Sequence, residues 1–163
     1  MGINIIQGSA EKIPFEDRYF DVVRSWQVLE HTYSPMKAIS EMNRVLKQDG
    51  HLLISVPNYG SSQGKVLGKC WPHLDVPRHL YHFTVESLGL ALEKNGLERM
   101  QKLYSGVPIS NIHWRLVGCR NQGTKLQKSL GMVAKSVVRE VAERIKGDDA
   151  GEYLTWWIRK HEN

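Results

Sequence analysis

The sequence predicts an α/β fold resting on parallel strands, and two stretches carry that prediction. From Phe20 to Val56 a short apolar run, a polar loop, a proline-started helical period and a second apolar run follow one another, which is the order of a βαβ unit. From Phe83 to Tyr104 a capped helix leads into a further extended run. In open sheets of this kind ligands bind outside the carboxyl ends of the strands, so chemistry is expected in the loops that begin at Arg24 and at Pro57.

In chain order, Ile3–Gln7 is β-branched and ends at Gly8-Ser9-Ala10, which predicts a buried strand entering a tight turn. Glu11–Phe15 crosses as loop because Pro14 lacks a donor, and Asp17-Arg18 supplies a turn. Phe20–Arg24 is short and apolar, as a parallel strand covered on both faces should be. Ser34 is placed to cap a helix that has Pro35 at its first position, with Ile39, Met42, Val45 and Leu46 as the buried stripe and Asp49-Gly50 as its end. Leu52–Val56 is the next strand. Tyr59–Gly68 is polar and glycine-rich, and a mobile loop is expected there. Its Gly60–Val66 run is one residue short of a phosphate loop and has Val66 where the metal-binding hydroxyl belongs.

Thr84 caps a helix over Val85–Asn95, with Phe83 and Leu88 as a hydrophobic staple and Gly96 as the left-handed stop. Leu97–Tyr104 is a more polar strand suited to a sheet edge. Val107–Gly123 has no clean period and is either a crossover or a substrate wall. Thr124–Lys146 places Leu126, Leu130, Val133, Val137, Val141 and Ile145 on one face of a long helix. After a turn at Gly147–Gly151, Tyr153–Arg159 is a last strand whose adjacent tryptophans face opposite sides.

Length and composition fit one globular domain: 163 residues, 41% hydrophobic and 24% charged. The formal charge of +5 is spread along the chain in no basic run longer than two residues, which speaks against nucleic acid as a partner. Cys70 and Cys119 stand in no metal or redox spacing, as in a reduced cytoplasmic protein. No apolar run approaches the ~20 residues that span a bilayer, so membrane insertion is not expected.

The segments Ser9–Phe15, Phe20–Val23, Val28-Leu-Glu-His31, Pro35, Leu46–Gly50 and Leu53–Asn58 together resemble the middle and later part of a class I S-adenosylmethionine-dependent methyltransferase. The likeness continues into His73–Thr84 and the helix ending at Gly96, where it is similar to members acting on small molecules or on sugar and lipid intermediates. It implies a Rossmann-like, doubly wound sheet of strand order 3-2-1-4-5-7-6 with the last strand antiparallel. It also implies S-adenosylmethionine as cofactor. The family's glycine-rich loop and the acidic residue that holds the ribose have no counterpart here, so the resemblance starts at the third strand. The expectation is an incomplete fold, residues 1–163 being the C-terminal portion of a single methyltransferase-like domain whose first two βα units are missing. Activity of such a fragment is expected to be weak or absent. Ile3–Gln7 then either moves beside Phe20–Arg24 or leaves an edge at which two chains pair, and a homodimer is expected. The alternative is a non-catalytic α/β remnant acting as a dimeric or regulatory module.

By the same resemblance, Ser9 and Ala10 lie beside the adenine, and Arg24, Ser25, Trp26 and Gln27 line the cofactor. His31 stands near the transferable methyl, where it acts as general base toward a hydroxyl or amine. Tyr59, His79 and His82 belong to the substrate wall. His73, Asp75, His79 and His82 also form a plausible ligand set. Pro77 interrupts the alignment it needs, and no metal is assigned.

Overall fold

The structure, a computed structural model, describes residues 4–105 and 152–160. Its sheet has four strands, β1 (Phe20–Trp26), β2 (Leu46–Pro57), β3 (Glu98–Ser105) and β4 (Tyr153–Arg159), in the spatial order β1-β2-β4-β3. β1 and β2 are parallel, and β4 runs antiparallel to both of its neighbours. That is the 4-5-7-6 part of the expected order, with the polar run after Gly96 at one edge as its composition suggested.

One face of the sheet carries the core. Leu52, Ile54 and Val56 of β2 and Leu154, Trp156 and Ile158 of β4 share that face by strand alternation, and all are buried. Against them pack Ala38, Ile39 and Met42 of α1 (Pro35–Val45) and Leu88 and Leu92 of α3 (Val85–Glu93). The adjacent tryptophans do part company. Trp156 enters the core, while Trp157 donates its indole N–H to His51 Nδ1 at 3.0 Å.

The start of α3 carries the predicted Thr84 cap, and the structure adds a reciprocal box. Thr84 Oγ1 accepts from the Ser87 amide at 3.2 Å, and Ser87 Oγ accepts from the Thr84 amide at 2.8 Å. Phe83 and Leu88 are both in the core, and Gly96 takes the left-handed conformation at φ 69°.

Several expectations are corrected. Residues 4–7 form no strand: Ile5 is 91% and Ile6 56% exposed, and no described strand lies beside them to complete a ladder. The segment has not moved next to β1. Helix α1 ends at Val45, four residues before the Asp49-Gly50 pair, because the Arg18 and Tyr19 amides take the carbonyls of Arg44 and Val45 at 2.9 and 2.8 Å. β2 therefore begins at Leu46, and Asp49 lies within it at φ 56°. Ser34 occupies the N-cap position without using its hydroxyl; its own amide donates to Glu11 Oε1 at 3.0 Å. Tyr59–Gly68 is not simply loop. Ser61 Oγ accepts from the Gly64 amide at 3.0 Å and starts a short α2 (Ser62–Leu67), and at Gly64 a Cβ would meet the Tyr59 carbonyl at 2.5 Å. Finally, β1 is not covered on both faces: Val22 is 54% and Trp26 45% exposed.

The undecided stretch Val107–Gly123, the helix expected over Thr124–Lys146, the turn Gly147–Gly151 and Cys119 lie outside the described residues, as does Ile3.

Candidate active site

Two crossings bring the polar side chains together at the carboxyl ends of β1 and β2. After β1 the chain closes into a 3₁₀ turn, Leu29–His31, anchored by the fully buried Leu29. After β2 the Tyr59 amide donates to the Phe83 carbonyl at 2.8 Å, which lays the segment before α3 alongside the strand end. The two crossings are then stitched to each other. The Leu80 amide donates to the Glu30 carbonyl at 2.7 Å, and His31 Nδ1 donates to the Arg78 carbonyl at 2.9 Å. Tyr81 Oη reaches the Tyr33 carbonyl at 3.0 Å.

The ring contacts that follow are continuous. His31 meets His79 edge to face at 4.7 Å between centroids, His79 stands 6.5 Å from His82, and His82 lies 5.6 Å from Tyr59, which in turn packs on buried Trp71 at 5.8 Å. The predicted base and the predicted substrate residues thus line one wall. His79 Nδ1 donates to the His73 carbonyl at 2.7 Å, and His82 Nε2 to that of Leu74 at 2.8 Å. His73 Nε2 lies 3.2 Å from Tyr153 Oη and 3.5 Å from Glu152 Oε1. The four-residue set His73, Asp75, His79 and His82 does not gather as a whole, although Asp75 Oδ2 stays 3.9 Å from His79 Nε2; among the described residues the group spaced for a metal is Glu30, His31 and His79.

Glu30 is the residue whose weight the sequence did not reveal. It is 1% exposed, and among the described residues neither carboxylate oxygen has a hydrogen-bond partner. Burial pushes its carboxyl up from the ordinary value. Burial likewise pulls His79 down, which keeps its imidazole neutral at pH 7.

The residues expected to line the cofactor fall into two groups. At the end of β1, Ser25 is buried with its hydroxyl unpartnered, Trp26 is half exposed under the Arg24 guanidinium at 4.6 Å, and Gln27 is fixed by its amide on the Ser55 carbonyl at 2.8 Å. Gln27 also takes a left-handed φ of 54°, a conformation uncommon outside glycine. Ser9 and Ala10 sit in the separate turn Ser9–Lys12, where Ser9 Oγ accepts from the Glu11 amide at 3.2 Å and Ala10 packs on the core. That turn is tied to α1: the Arg44 guanidinium donates to the Ile13 and Phe15 carbonyls and pairs with Glu41 and Asp17 at 2.7 Å.

An α/β sheet of this order, with a polar wall over its strand ends, has the methyltransferase type of fold. A family described as a methyltransferase domain matches residues 3–102, and the chain belongs to it. Its cofactor is S-adenosylmethionine. The chain is 38% identical over 82 residues to the uncharacterized methyltransferase YcgJ of Bacillus subtilis, covering 50% of this chain and 32% of that protein. It is 29% identical over 110 residues to the ubiquinone/menaquinone biosynthesis C-methyltransferase UbiE of Shewanella pealeana, covering 61% of this chain and 44% of that protein. The chain thus spans about a third to less than half of the length of these relatives. Among solved structures, a possible histamine N-methyltransferase of Thermotoga maritima superposes with a TM-score of 0.61 at 18% identity, over 98% of this chain and 65% of its own. That of YcgJ gives 0.57 at 22%, over 97% and 71%. Both show the shared fold. No described helix is long and apolar enough to cross a membrane.

The residues present fit the cofactor in part. Among the described residues the unpartnered, buried Ser25 hydroxyl and the half-open Trp26 ring suit its adenosine and methionine parts, whereas the glycine-rich loop that in the family follows the first strand has no counterpart there to hold the carboxylate.

Proposed function

We propose that this chain carries the acceptor side of a cytoplasmic S-adenosylmethionine-dependent methyl transfer site, taking a hydroxyl or amine of a small molecule such as a sugar or lipid intermediate. The observation that carries the reading is the tautomer of His31. Its Nδ1–H is committed to the Arg78 carbonyl, which leaves Nε2 with a free lone pair on an exposed ring at the strand ends. When bound, the cofactor supplies an electrophilic methyl group on a sulfonium. His31 Nε2 accepts the proton that the acceptor loses, and the wall of His79, His82 and Tyr59 holds the acceptor in line. Ser25, Trp26 and Gln27 border the cofactor, with Ser9 and Ala10 at the adenine and Arg24 over the Trp26 ring.

Because the family's glycine-rich loop and ribose-binding acid are not among these residues, the chain by itself is expected to bind the cofactor weakly, as the second half of a larger site. Calorimetric titration with S-adenosylhomocysteine tests the strength, and micromolar affinity contradicts the expectation of weakness. Amide resonances test the place. Millimolar S-adenosylhomocysteine is expected to shift Ser25, Trp26 and Gln27, and an unmoved β1 end sinks the reading.

The second reading, a non-catalytic dimeric module, is favoured by one feature: among the described strands β1 is a sheet edge, with Val22 and Trp26 open. Light scattering that finds monomers at high protein concentration removes it.

A further inference from the structure

We infer that Glu30, His31 and His79 form a binding site for a divalent transition cation. One ligand atom of each lies within 4.8 Å of those of the others. Spacing of this kind is weak evidence alone, and three independent features strengthen it.

Both imidazoles are held in the tautomer that ligation requires. His31 and His79 each donate Nδ1–H to a backbone carbonyl, of Arg78 and His73 respectively, so each Nε2 carries an unshared pair. A ligating histidine is oriented in just this way by what its other nitrogen donates to. Next, the Glu30 carboxylate is buried at 1% exposure without a hydrogen-bond partner among the described residues. An unpaired buried carboxylate is costly, and a bound cation supplies the missing countercharge. Third, the scaffold is rigid where it matters. The Glu30 carbonyl accepts from the Leu80 amide at 2.7 Å and the Tyr81 amide at 3.3 Å, so the segments that bear the ligands are cross-linked by backbone hydrogen bonds.

Two imidazoles and one carboxylate suit zinc, cobalt or manganese better than magnesium, which prefers oxygen and water. Zinc bonds of about 2.0–2.1 Å put tetrahedral ligand atoms roughly 3.3 Å apart, so closure asks for side-chain movement of about an ångström. The exposed His31 ring has room to make it. A three-ligand site keeps a coordination position open, which in zinc enzymes holds water or substrate. Here that position is suited to an acceptor oxygen, whose proton coordination makes easier to remove. This last role rests on the methyl transfer reading; the binding of the ion does not. In the loaded protein His31 serves as ligand and the acidified acceptor gives its proton to bulk water, whereas in the cation-free protein His31 Nε2 takes that proton.

The test is titration of the chelator-treated chain with Co²⁺, followed by its visible absorption and by displacement with Zn²⁺. Saturation at one ion per chain is expected. Glu30→Gln and His79→Gln are each expected to weaken binding at least about tenfold, while His51→Gln, on the far side of β2, leaves it unchanged. Circular dichroism melting establishes that each variant is folded, and Glu30→Gln, which removes a buried charge, decides the matter if His79→Gln is not. Absence of saturable binding overturns the inference, as does binding that Glu30→Gln leaves intact. The outcome is separable from the cofactor reading: Co²⁺ binding with an unmoved β1 end in S-adenosylhomocysteine keeps the metal site and removes the methyl transfer.

Discussion

The two sides of the strand-end crevice are built to different standards. On the histidine side, Leu29–His31 and Arg78–Phe83 are stitched together and close over buried Leu29, Phe83 and Trp71. On the other side Ile5, Val22 and Trp26 stand open, and the Ser9–Lys12 turn is held from one flank by α1. Side-chain orientation is preset on the stitched side, whereas the open side presents bare rings and aliphatic groups. The stitched geometry is lost only when the core fails, and the open surface is adjustable at little cost to the fold.

The largest effect that sharpens this contrast is expected at the base of the stitched side. Leu29→Ala opens a cavity under the 3₁₀ turn and is expected to cost about 3 kcal/mol in urea unfolding. The contrast breaks if the loss is no larger than for a surface change. Next comes acid. The Arg44 guanidinium holds the Glu41 carboxyl down to about 2, against 4.5 in the unfolded chain. A lowered folded value gives stability that is complete above pH 4.5 and disappears as the pH falls toward 2. The thermal midpoint is expected to drop across that window, and Glu41→Gln is expected to flatten that part of the profile, at the expense of a lower midpoint at neutral pH.

Glu30 has the opposite sign. Its carboxyl is raised by burial, so its contribution is complete below the unfolded value of 4.5 and is lost as the pH rises through the folded one. In chelator-treated protein Glu30→Gln is therefore expected to raise Tm at pH 7 by about 3 °C, as a gain of ~1 kcal/mol does in a domain of this size. The gain is expected to vanish at pH 4. The smallest effect belongs to the open side: Ile5→Ser is expected to stay within about 0.5 kcal/mol of the parent. A larger loss places Ile5 in a packed interface and removes the contrast.

What the sequence revealed follows the range of its signals. Thr84, Phe83, Leu88 and Gly96 define α3 because caps and staples act over a few residues, and the alternation of Leu52, Ile54 and Val56 sets the core face of β2. The end of α1 was misread because its stop is a tertiary event, the Arg18 and Tyr19 amides capturing carbonyls from a distant turn. α2 was missed because a polar, glycine-rich composition masks a single serine cap. At the site, the pair Glu30-His31 was visible as a pair, but its partner His79 was credited to a histidine-rich local run. Only the carbonyls of His73 and Arg78, which fix the two rings, redistribute those histidines, and a carbonyl leaves no trace in a residue pattern.

The sheet order has a consequence for how the chain is made. β4, at Tyr153–Arg159, enters between β2 and β3, although β3 ends at Ser105. Beyond it Lys160 Nζ donates to the carbonyls of Asn43 at 2.7 Å and Leu46 at 3.0 Å, at the close of α1. During synthesis β2 and β3 therefore wait with a vacant slot between them until β4 leaves the ribosome. The nascent chain carries two sticky edges until then, and closure of this part of the sheet is governed by the arrival of that later strand.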